Sequence, residues 1–164
     1  DKTTDLEVFK DFINYLFKKK IKPPDYFIHL RPTTPLREVK TLKKAINYFK
    51  KNSKNFTSMR SVSLMSNPSF KTMKIVRGKL CSIFLGVDPS ININSNLDKY
   101  NKPKEFFEKT FLPNGYIDIV KTKNILKNQF YGNKVLPFIT NEFNSDIDNY
   151  NDYIKAKRHL TDKI

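Results

Sequence analysis

Residues 26–37 read Tyr-Phe-Ile-His-Leu-Arg-Pro-Thr-Thr-Pro-Leu-Arg, and this stretch decides the fold. Its first five residues form a short apolar run, which is typical of a strand buried on both faces in a parallel sheet. Thr34 can cap a following helix that has Pro35 at its first position. Apolar residues at helical spacing give that helix its buried stripe: Leu36, Val39, Leu42, Ile46 and Phe49. Strand, loop and helix in this order form half of an α/β unit, so the sequence predicts an α/β fold.

The sequence predicts two more helices, one before this unit and one near the C-terminus. Thr4 and Glu7 form a capping box at the start of the first, whose apolar residues recur at helical spacing until the Lys18–Lys20 run. The last helix is expected from about Asn149 to Leu160. The remaining strands are predicted at 61–65, 72–76, 80–85, 116–120 and 135–139, with a tight turn at 77–79.

Composition narrows the class of protein. The 164 residues are enough for one domain with its own core, and 38% of them are hydrophobic. The single cysteine, Cys81, excludes an internal disulfide. No apolar run approaches the ~18 residues that a membrane span needs, and no signal peptide is evident. We therefore expect a cytoplasmic protein without a membrane partner.

The net charge of +15 raises the question of nucleic acid. The lysines are scattered along the chain, with short runs only, and neither an RNA-binding signature nor zinc-ligand spacing is present. Solvated surface charge explains this pattern better than a nucleic-acid interface does. A basic nucleic-acid-binding module remains the alternative from a different functional class.

Asp146 and Asp148 are the strongest candidate ligands for a metal. In an extended backbone, residues two apart point to the same side, and paired carboxylates suit a Mg²⁺ ion that also binds phosphates. The alternative is that Asp148 only caps the last helix. Arg31 follows the first strand and could bind a phosphate or carboxylate, although it could equally be a surface arginine.

Other candidates have plainer alternatives. Asn114-Gly115 is a common turn pair, and the aromatic pair Phe130-Tyr131 could line a pocket or fill the core. Lys71 and Lys104 could each bind an acidic group, but a single lysine is usually solvated. His29, inside an apolar strand, is expected to be a packed histidine.

Taken in order, four segments resemble the acylneuraminate cytidylyltransferases, the CMP-sialic acid synthetase family. Residues 31–37 (Arg-Pro-Thr-Thr-Pro-Leu-Arg) are similar to the family's Gln-Pro-Thr-Ser-Pro-Leu-Arg loop, and residues 68–72 to its Pro-x-x-Lys-Thr segment. Residues 111–115 (Phe-Leu-Pro-Asn-Gly), which precede a predicted strand, resemble its Arg-Pro-Asn-Gly element, and residues 146–148 resemble its Asp-Ile-Asp metal site. The match spans nearly the whole chain and corresponds to about the last two-thirds of a family member.

The resemblance implies a Rossmann-like nucleotidyltransferase sheet with helices on both faces. It also implies an activity, the transfer of CMP from CTP to an acidic nine-carbon sugar with release of pyrophosphate. Asp146 and Asp148 would hold Mg²⁺, and the implied substrate-binding residues are Arg31, Lys71, Lys104, Asn114, Asp118, Phe130 and Tyr131. A related enzyme for another acidic sugar, such as 3-deoxy-manno-octulosonate, is a close alternative.

The resemblance further implies a homodimer, formed through an inserted β-rich segment at about 61–109 of the partial domain 1–164. This chain differs from the family pattern at several positions. Arg31 replaces a Gln, and Asp118 stands where a Tyr often contacts the sugar, which leaves the identity of the sugar acid open. The family's N-terminal strands and nucleotide loop have no counterpart here, so we expect a fragment or processed start that is inactive on its own.

Overall fold

The computed structural model describes residues 3–84, 97–142 and 146–162. Besides three short 3₁₀ helices, they form four α-helices and six strands, in this order: α1 (Asp5–Lys18), β1 (Tyr26–His29), α2 (Val39–Asn52), β2 (Ser58–Leu64), β3 (Met73–Val76), β4 (Lys79–Ser82), β5 (Phe111–Lys121), α3 (Thr122–Leu126), β6 (Val135–Ile139) and α4 (Tyr150–Thr161). The chain divides into two compact units, Asp1–Ser63 with Pro113–Ile164, and Leu64–Leu112.

The first unit contains a four-stranded mixed sheet in the order β1-β5-β2-β6. β1 pairs antiparallel with β5, whereas β2 pairs parallel with β6. The fold is therefore mixed α/β, as the sequence predicts. The prediction of a doubly buried, parallel first strand is wrong, because β1 is antiparallel, ends the described sheet on one side and leaves Ile28 exposed.

Helices cover both faces of this sheet. Tyr26 packs against Phe49 of α2, with ring centroids 5.6 Å apart, and the next residue, Phe27, packs against Phe9 of α1 at 5.3 Å. Successive strand residues point to opposite faces, so α1 and α2 lie on opposite sides of the sheet. The larger core cluster joins α2 to the central strands through fully buried side chains such as Phe49 and Tyr116.

α1 begins as predicted. The Thr4 hydroxyl accepts from the Glu7 N–H at 3.3 Å, and the Glu7 carboxylate accepts from the Thr4 N–H at 2.7 Å, so both halves of the capping box are present. Ile13 and Leu16 are the buried members of its apolar stripe. Phe12 and Phe17 have the helical spacing of this stripe but are each about half exposed, at 46% and 51%.

α2 begins later than predicted. Its N-cap is Glu38, and Thr34 and Pro35 lie in the preceding loop. Val39, expected on the buried stripe, is 65% exposed, whereas Phe49 is fully buried. The helix starts late because residues 35–37 are held outside it by contacts of Arg37 with β5, described below.

α4 begins close to the predicted residue, with Asn149 as its N-cap. The Asn149 side chain accepts from the Asp152 N–H at 3.2 Å. The alternative in which Asp148 caps this helix is therefore wrong. No described helix is long and apolar enough to cross a membrane.

The second unit contains a two-stranded hairpin, β3 and β4, paired antiparallel from Met73↔Ser82 to Val76↔Lys79. Arg77 and Gly78 both have positive φ, 49° and 75°, which is the backbone of a type I′ turn. The tight turn is therefore confirmed. β4 ends at Ser82, and residues 85–96, which include the end of the strand predicted at 80–85, lie outside the described residues. The dimerisation role of this segment stays a prediction.

Candidate functional site

The loop at residues 31–37 is tied to the middle of the sheet by the side chain of Arg37. Its Nε donates to the carbonyl oxygen of Tyr116 at 2.6 Å, and its Nη2 donates to those of Arg31 at 2.9 Å and Gly115 at 3.2 Å. One planar guanidinium therefore holds the loop against the start of the buried part of β5.

The Asn114-Gly115 pair lies within β5, so it is part of a strand and not a free turn. The Asn114 amide donates to the Ser63 hydroxyl at 2.8 Å and its side-chain oxygen accepts from the Tyr116 N–H at 3.2 Å. Gly115 has φ +65°, and a Cβ there would lie 3.4 Å from the Thr34 hydroxyl. That distance is ordinary contact, so glycine is favoured here by its positive φ and not by lack of space.

The segment 146–148 joins the same loop. The Ile147 N–H donates to the carbonyl oxygen of Thr33 at 2.8 Å. Burial lowers the pKa of Arg37, and the negative charge of Asp146 is close enough to oppose that shift. The structure therefore brings the predicted metal segment to the predicted loop, although more than 100 residues separate them in the chain.

The pair of carboxylates predicted to bind Mg²⁺ is Asp146 and Asp148. Asp146 and Asp148 are both exposed, and neither carboxylate makes a hydrogen bond or ion pair with another described residue. Within the described ranges, no three carboxylate, histidine or cysteine side chains form a metal-binding group. Two protein carboxylates completed by water and substrate phosphates is a usual donor set for Mg²⁺.

A second group of polar side chains lies where β1 pairs with β5. His29 and Asp118 are opposite each other in the strand register. The His29 ring packs edge-on against Phe9 and Phe130, with centroids 5.4 and 5.9 Å away, so the prediction of a packed histidine is confirmed. Burial lowers the pKa of His29, and Asp5 only partly opposes this effect.

Asp118 is only 2% exposed, and Tyr131 contacts it directly. The Tyr131 hydroxyl donates to Asp118 Oδ2 at 3.1 Å, whereas Oδ1 has no hydrogen-bond partner among the described residues. Burial raises the pKa of Asp118, although Arg60 and the Tyr131 hydrogen bond oppose the shift. Burial and the adjacent Asp118 raise the pKa of Tyr131 to about 12. Asp118 is thus placed to orient Tyr131 and has little surface for direct contact with a ligand.

Arg31 is anchored by α1. Its Nη2 donates to Asp5 Oδ2 at 2.8 Å. Burial acts to lower the pKa of Arg31, but the negative charges of Asp5 and Asp118 have a larger combined effect, so the pKa is raised and the side chain is positively charged. The aromatic pair packs beside it: the Phe130 and Tyr131 rings are perpendicular, 4.9 Å between centroids, and both side chains are partly exposed.

Lys71 and Lys104 belong to the second unit. Lys104 lines a cavity of about 520 Å³ within that unit, together with Phe107 and Lys109. The Lys71 ammonium lies 6.0 Å from the centroid of the Phe107 ring. Both lysines therefore neighbour one aromatic side chain in a positively charged part of this unit.

In the first unit, the structure brings together three predicted segments: the loop 31–37, the Asn114-Gly115 pair and the segment 146–148. Asp118 and Phe130-Tyr131 lie together at the β1–β5 end of the sheet.

The sequence motifs predicted no role for Arg37 or Arg60. Arg37 belongs to the motif at residues 31–37, and its place in a loop that follows a strand could have indicated an anchoring role. Arg60 carries no such signal, since one arginine in a strand is normally a solvent-facing residue. Its importance follows only from what β5 and the 130–131 segment place beside it.

Comparisons with known proteins add no assignment: no family model matches the chain, and no curated protein matches it significantly.

Proposed function

We propose that the chain is the sugar-binding and metal-binding part of a cytidylyltransferase of the CMP-sialic acid synthetase type, with a Rossmann-like nucleotidyltransferase fold. The observation that carries this proposal is the Ile147–Thr33 hydrogen bond of 2.8 Å together with the three hydrogen bonds donated by Arg37. These contacts join segments that resemble three separate motifs of that family. The family resemblance leads us to expect these segments at one place, and their contact supports the proposal.

The reaction proposed is the attack of the anomeric hydroxyl of a nonulosonic acid on the α-phosphorus of CTP. An oxygen–phosphorus bond to the sugar forms, the bond from the α-phosphorus to the α,β-bridging oxygen breaks, and pyrophosphate leaves. The proton of the attacking hydroxyl passes to solvent water. Mg²⁺ held by Asp146 and Asp148 would neutralise charge on the phosphates. Catalysis of this kind depends chiefly on positioning and on electrostatic stabilisation.

The residues of this chain have distinct roles in the proposal. Asp146 and Asp148 hold the metal, and the loop at 31–37 orients their segment through Thr33. Asn114 and the Phe130-Tyr131 pair form the wall of the sugar site. Lys71 and Lys104, in the second unit, remain predicted anion-binding residues by family resemblance alone. Asp118 acts through Tyr131, because its own side chain is buried.

The test is pyrophosphate release from CTP and Mg²⁺ with a panel of nonulosonic acids and 3-deoxy-manno-octulosonate. The protein should be expressed with any coding sequence that flanks these 164 residues. We expect turnover with one of the acids and a loss of about 100-fold or more in Asp146→Asn, because a metal ligand is removed. Asp11→Asn, which alters an exposed carboxylate on α1, is the matched control and should retain activity. A folded protein that releases no pyrophosphate with any acid would contradict the proposal.

A nucleic-acid-binding role is the second candidate, and one observation favours it. A groove of about 500 Å³ between α2 and β6 places the partly exposed Tyr48 ring between Lys44 and Lys51. Lysines flanking an aromatic ring are suited to single-stranded nucleic acid. Binding that weakens steeply with salt, and is lost in Lys44→Gln with Lys51→Gln, would favour this role over the enzyme.

A further inference from the structure

Arg60 on β2 has no assigned role so far. It belongs to a group of side chains at the end of the sheet where β1 pairs with β5, which we call the β1–β5 cluster: Asp5, His29, Arg31, Arg60, Asp118 and Tyr131. Its guanidinium carbon lies 4.8 Å from the centroid of the Tyr131 ring, and its side chain is 35% exposed. A guanidinium stacked on an aromatic ring loses conformational freedom before any ligand arrives. Arg60 is therefore held in place and still reachable from solvent.

The donors of Arg60 are open, in contrast to those of the other two arginines nearby. Arg31 donates to Asp5, and Arg37 donates to three backbone carbonyls. Arg60 donates no hydrogen bond to any residue in the described part of the chain, and its Nε lies 3.9 Å from Asp118 Oδ1, too far for one. A guanidinium has five N–H donors in a planar fork that matches a carboxylate.

The charges around Arg60 favour an anion with one negative charge. The cluster contains two guanidiniums, on Arg31 and Arg60, and two carboxylates, on Asp5 and Asp118. Asp118, with one oxygen lacking a hydrogen bond, stands beside Arg60. A triphosphate would bring several negative charges close to these carboxylates and a ligand carboxylate only one, so the carboxylates disfavour the triphosphate more strongly.

We propose that Arg60, held over the Tyr131 ring, binds the carboxylate of the acidic sugar and so selects for a sugar acid. This inference rests on the proposed function, and it assigns the carboxylate to a residue of the first unit. The Tyr131 ring stacks against the Arg60 guanidinium and so positions it. Asp118 in turn fixes Tyr131 by accepting the 3.1 Å hydrogen bond from its hydroxyl.

The experiment compares a nonulosonic acid with its neutral C1 amide, using the protein with its natural flanking sequence. Binding of both compounds is measured by titration calorimetry, and the KM values for sugar and CTP are measured by pyrophosphate release. The variants are Arg60→Gln and Arg60→Lys, with Arg158→Gln, an exposed arginine on α4, as the control with the same change of residue type. Circular dichroism establishes that each variant is folded.

We expect Arg60→Gln to weaken binding of the acid by about 10- to 100-fold, the range for a lost hydrogen bond to a charged group. The amide should bind both proteins equally, the KM for CTP should stay the same, and Arg60→Lys should recover part of the loss. An equal KM for the acid in Arg60→Gln and in the unmodified protein would overturn the inference while leaving the proposed function intact.

Three further outcomes decide between the inference and the proposed function. If the acid binds in an Arg60-dependent way but no sugar acid is turned over, the anion site stands and the cytidylyltransferase proposal is wrong. If the KM for CTP rises in Arg60→Gln and that for the acid does not, Arg60 binds phosphate and the carboxylate assignment is overturned. If the unmodified protein binds none of the acids, both proposals are refuted.

Discussion

Gly132, next to Tyr131, offers a sharp test of the packing beside the proposed sugar site. Its φ is +72°, and a Cβ added there would lie 2.8 Å from Thr57 Oγ1 and 2.9 Å from Thr57 Cβ. Contacts this short require a movement, so Gly132→Ala should destabilise the fold through two separate effects.

Thr57 has little freedom to move away. Its Oγ1 lies 2.8 Å from the carbonyl oxygens of both Tyr131 and Lys134 and accepts from the Lys134 N–H at 3.1 Å. Its own N–H donates to the Lys134 carbonyl at 2.7 Å. A shift of the Thr57 side chain would break these contacts, so the cost of the added methyl group is not easily relieved.

The expected magnitude is the sum of two terms. Placing alanine at a positive φ costs roughly 1–2 kcal/mol, and overpacking a rigid site costs about 1–3 kcal/mol more. Gly115→Ala is the matched control within the same unit, since its φ is +65° but its nearest neighbours would lie at 3.4 and 3.5 Å, which is ordinary contact. Gly132→Ala should therefore lower the free energy of unfolding by about 1–3 kcal/mol more than Gly115→Ala does.

The assay is urea unfolding followed by far-ultraviolet circular dichroism, because the chain has no tryptophan to report by fluorescence. The slope of free energy against urea should be the same in all three proteins. Equal losses in the two alanine variants, within about 0.5 kcal/mol, would refute the argument that Thr57 is fixed.

Two other predictions concern stability. Asp118→Asn should keep the hydrogen bond from Tyr131 and remove a buried charge. Because burial raises the pKa of Asp118, the native carboxyl contributes most to stability below its ordinary pKa of 3.8 and loses that contribution as the pH rises. The unfolding free energy of the variant relative to the native protein should therefore increase as the pH rises above 3.8. A pH-independent difference between the two proteins would contradict this. Thr4→Ala should lower the free energy of unfolding by about 1 kcal/mol, because the Glu7 N–H loses its side-chain acceptor. Thr4→Ser keeps the hydroxyl and should lose much less. Equal losses of unfolding free energy in the two variants would show that the capping hydroxyl contributes nothing.

Local sequence rules predicted the elements whose cause is local. The capping box at Thr4, the turn at Arg77-Gly78 and the strand Val135–Ile139 all depend on residues within a few positions of one another, and the structure confirms each. These signals act through hydrogen bonds or backbone angles that a short peptide already possesses.

The errors concern long-range contacts. An apolar run such as 26–30 has the same pattern whether its neighbour runs parallel or antiparallel, so the antiparallel pairing with β5 could not be read from it. Thr34 and Pro35 satisfy the rule for a helix start, but Arg37 binds carbonyls some 80 residues away and holds that stretch outside the helix. A tertiary contact here overrides a local preference.

The same distinction applies to the candidate site. Motif order predicted three segments that the structure brings together, 31–37, 114–115 and 146–148, because each is short and has its own recognisable residue types. The fourth segment, 68–72, lies in the second unit. The geometry of His29, Asp118 and Tyr131 could not be predicted, since it depends on the register between β1 and β5. Arg60 was missed for the same reason, because its neighbours come from a different strand and from the loop before β6.

Arg37 shows why the loop and the sheet depend on each other. The Ile147–Thr33 contact uses backbone groups only and tolerates many side chains, whereas the contact with β5 uses one guanidinium that reaches three carbonyls at once. A lysine ammonium has no planar fork and cannot reproduce that arrangement. The position of the Asp146–Asp148 segment therefore depends, through Thr33, on a side chain that contacts neither metal nor substrate in the proposed reaction. The identity of residue 37 is for this reason a structural requirement of the site, even though its part in the chemistry is indirect.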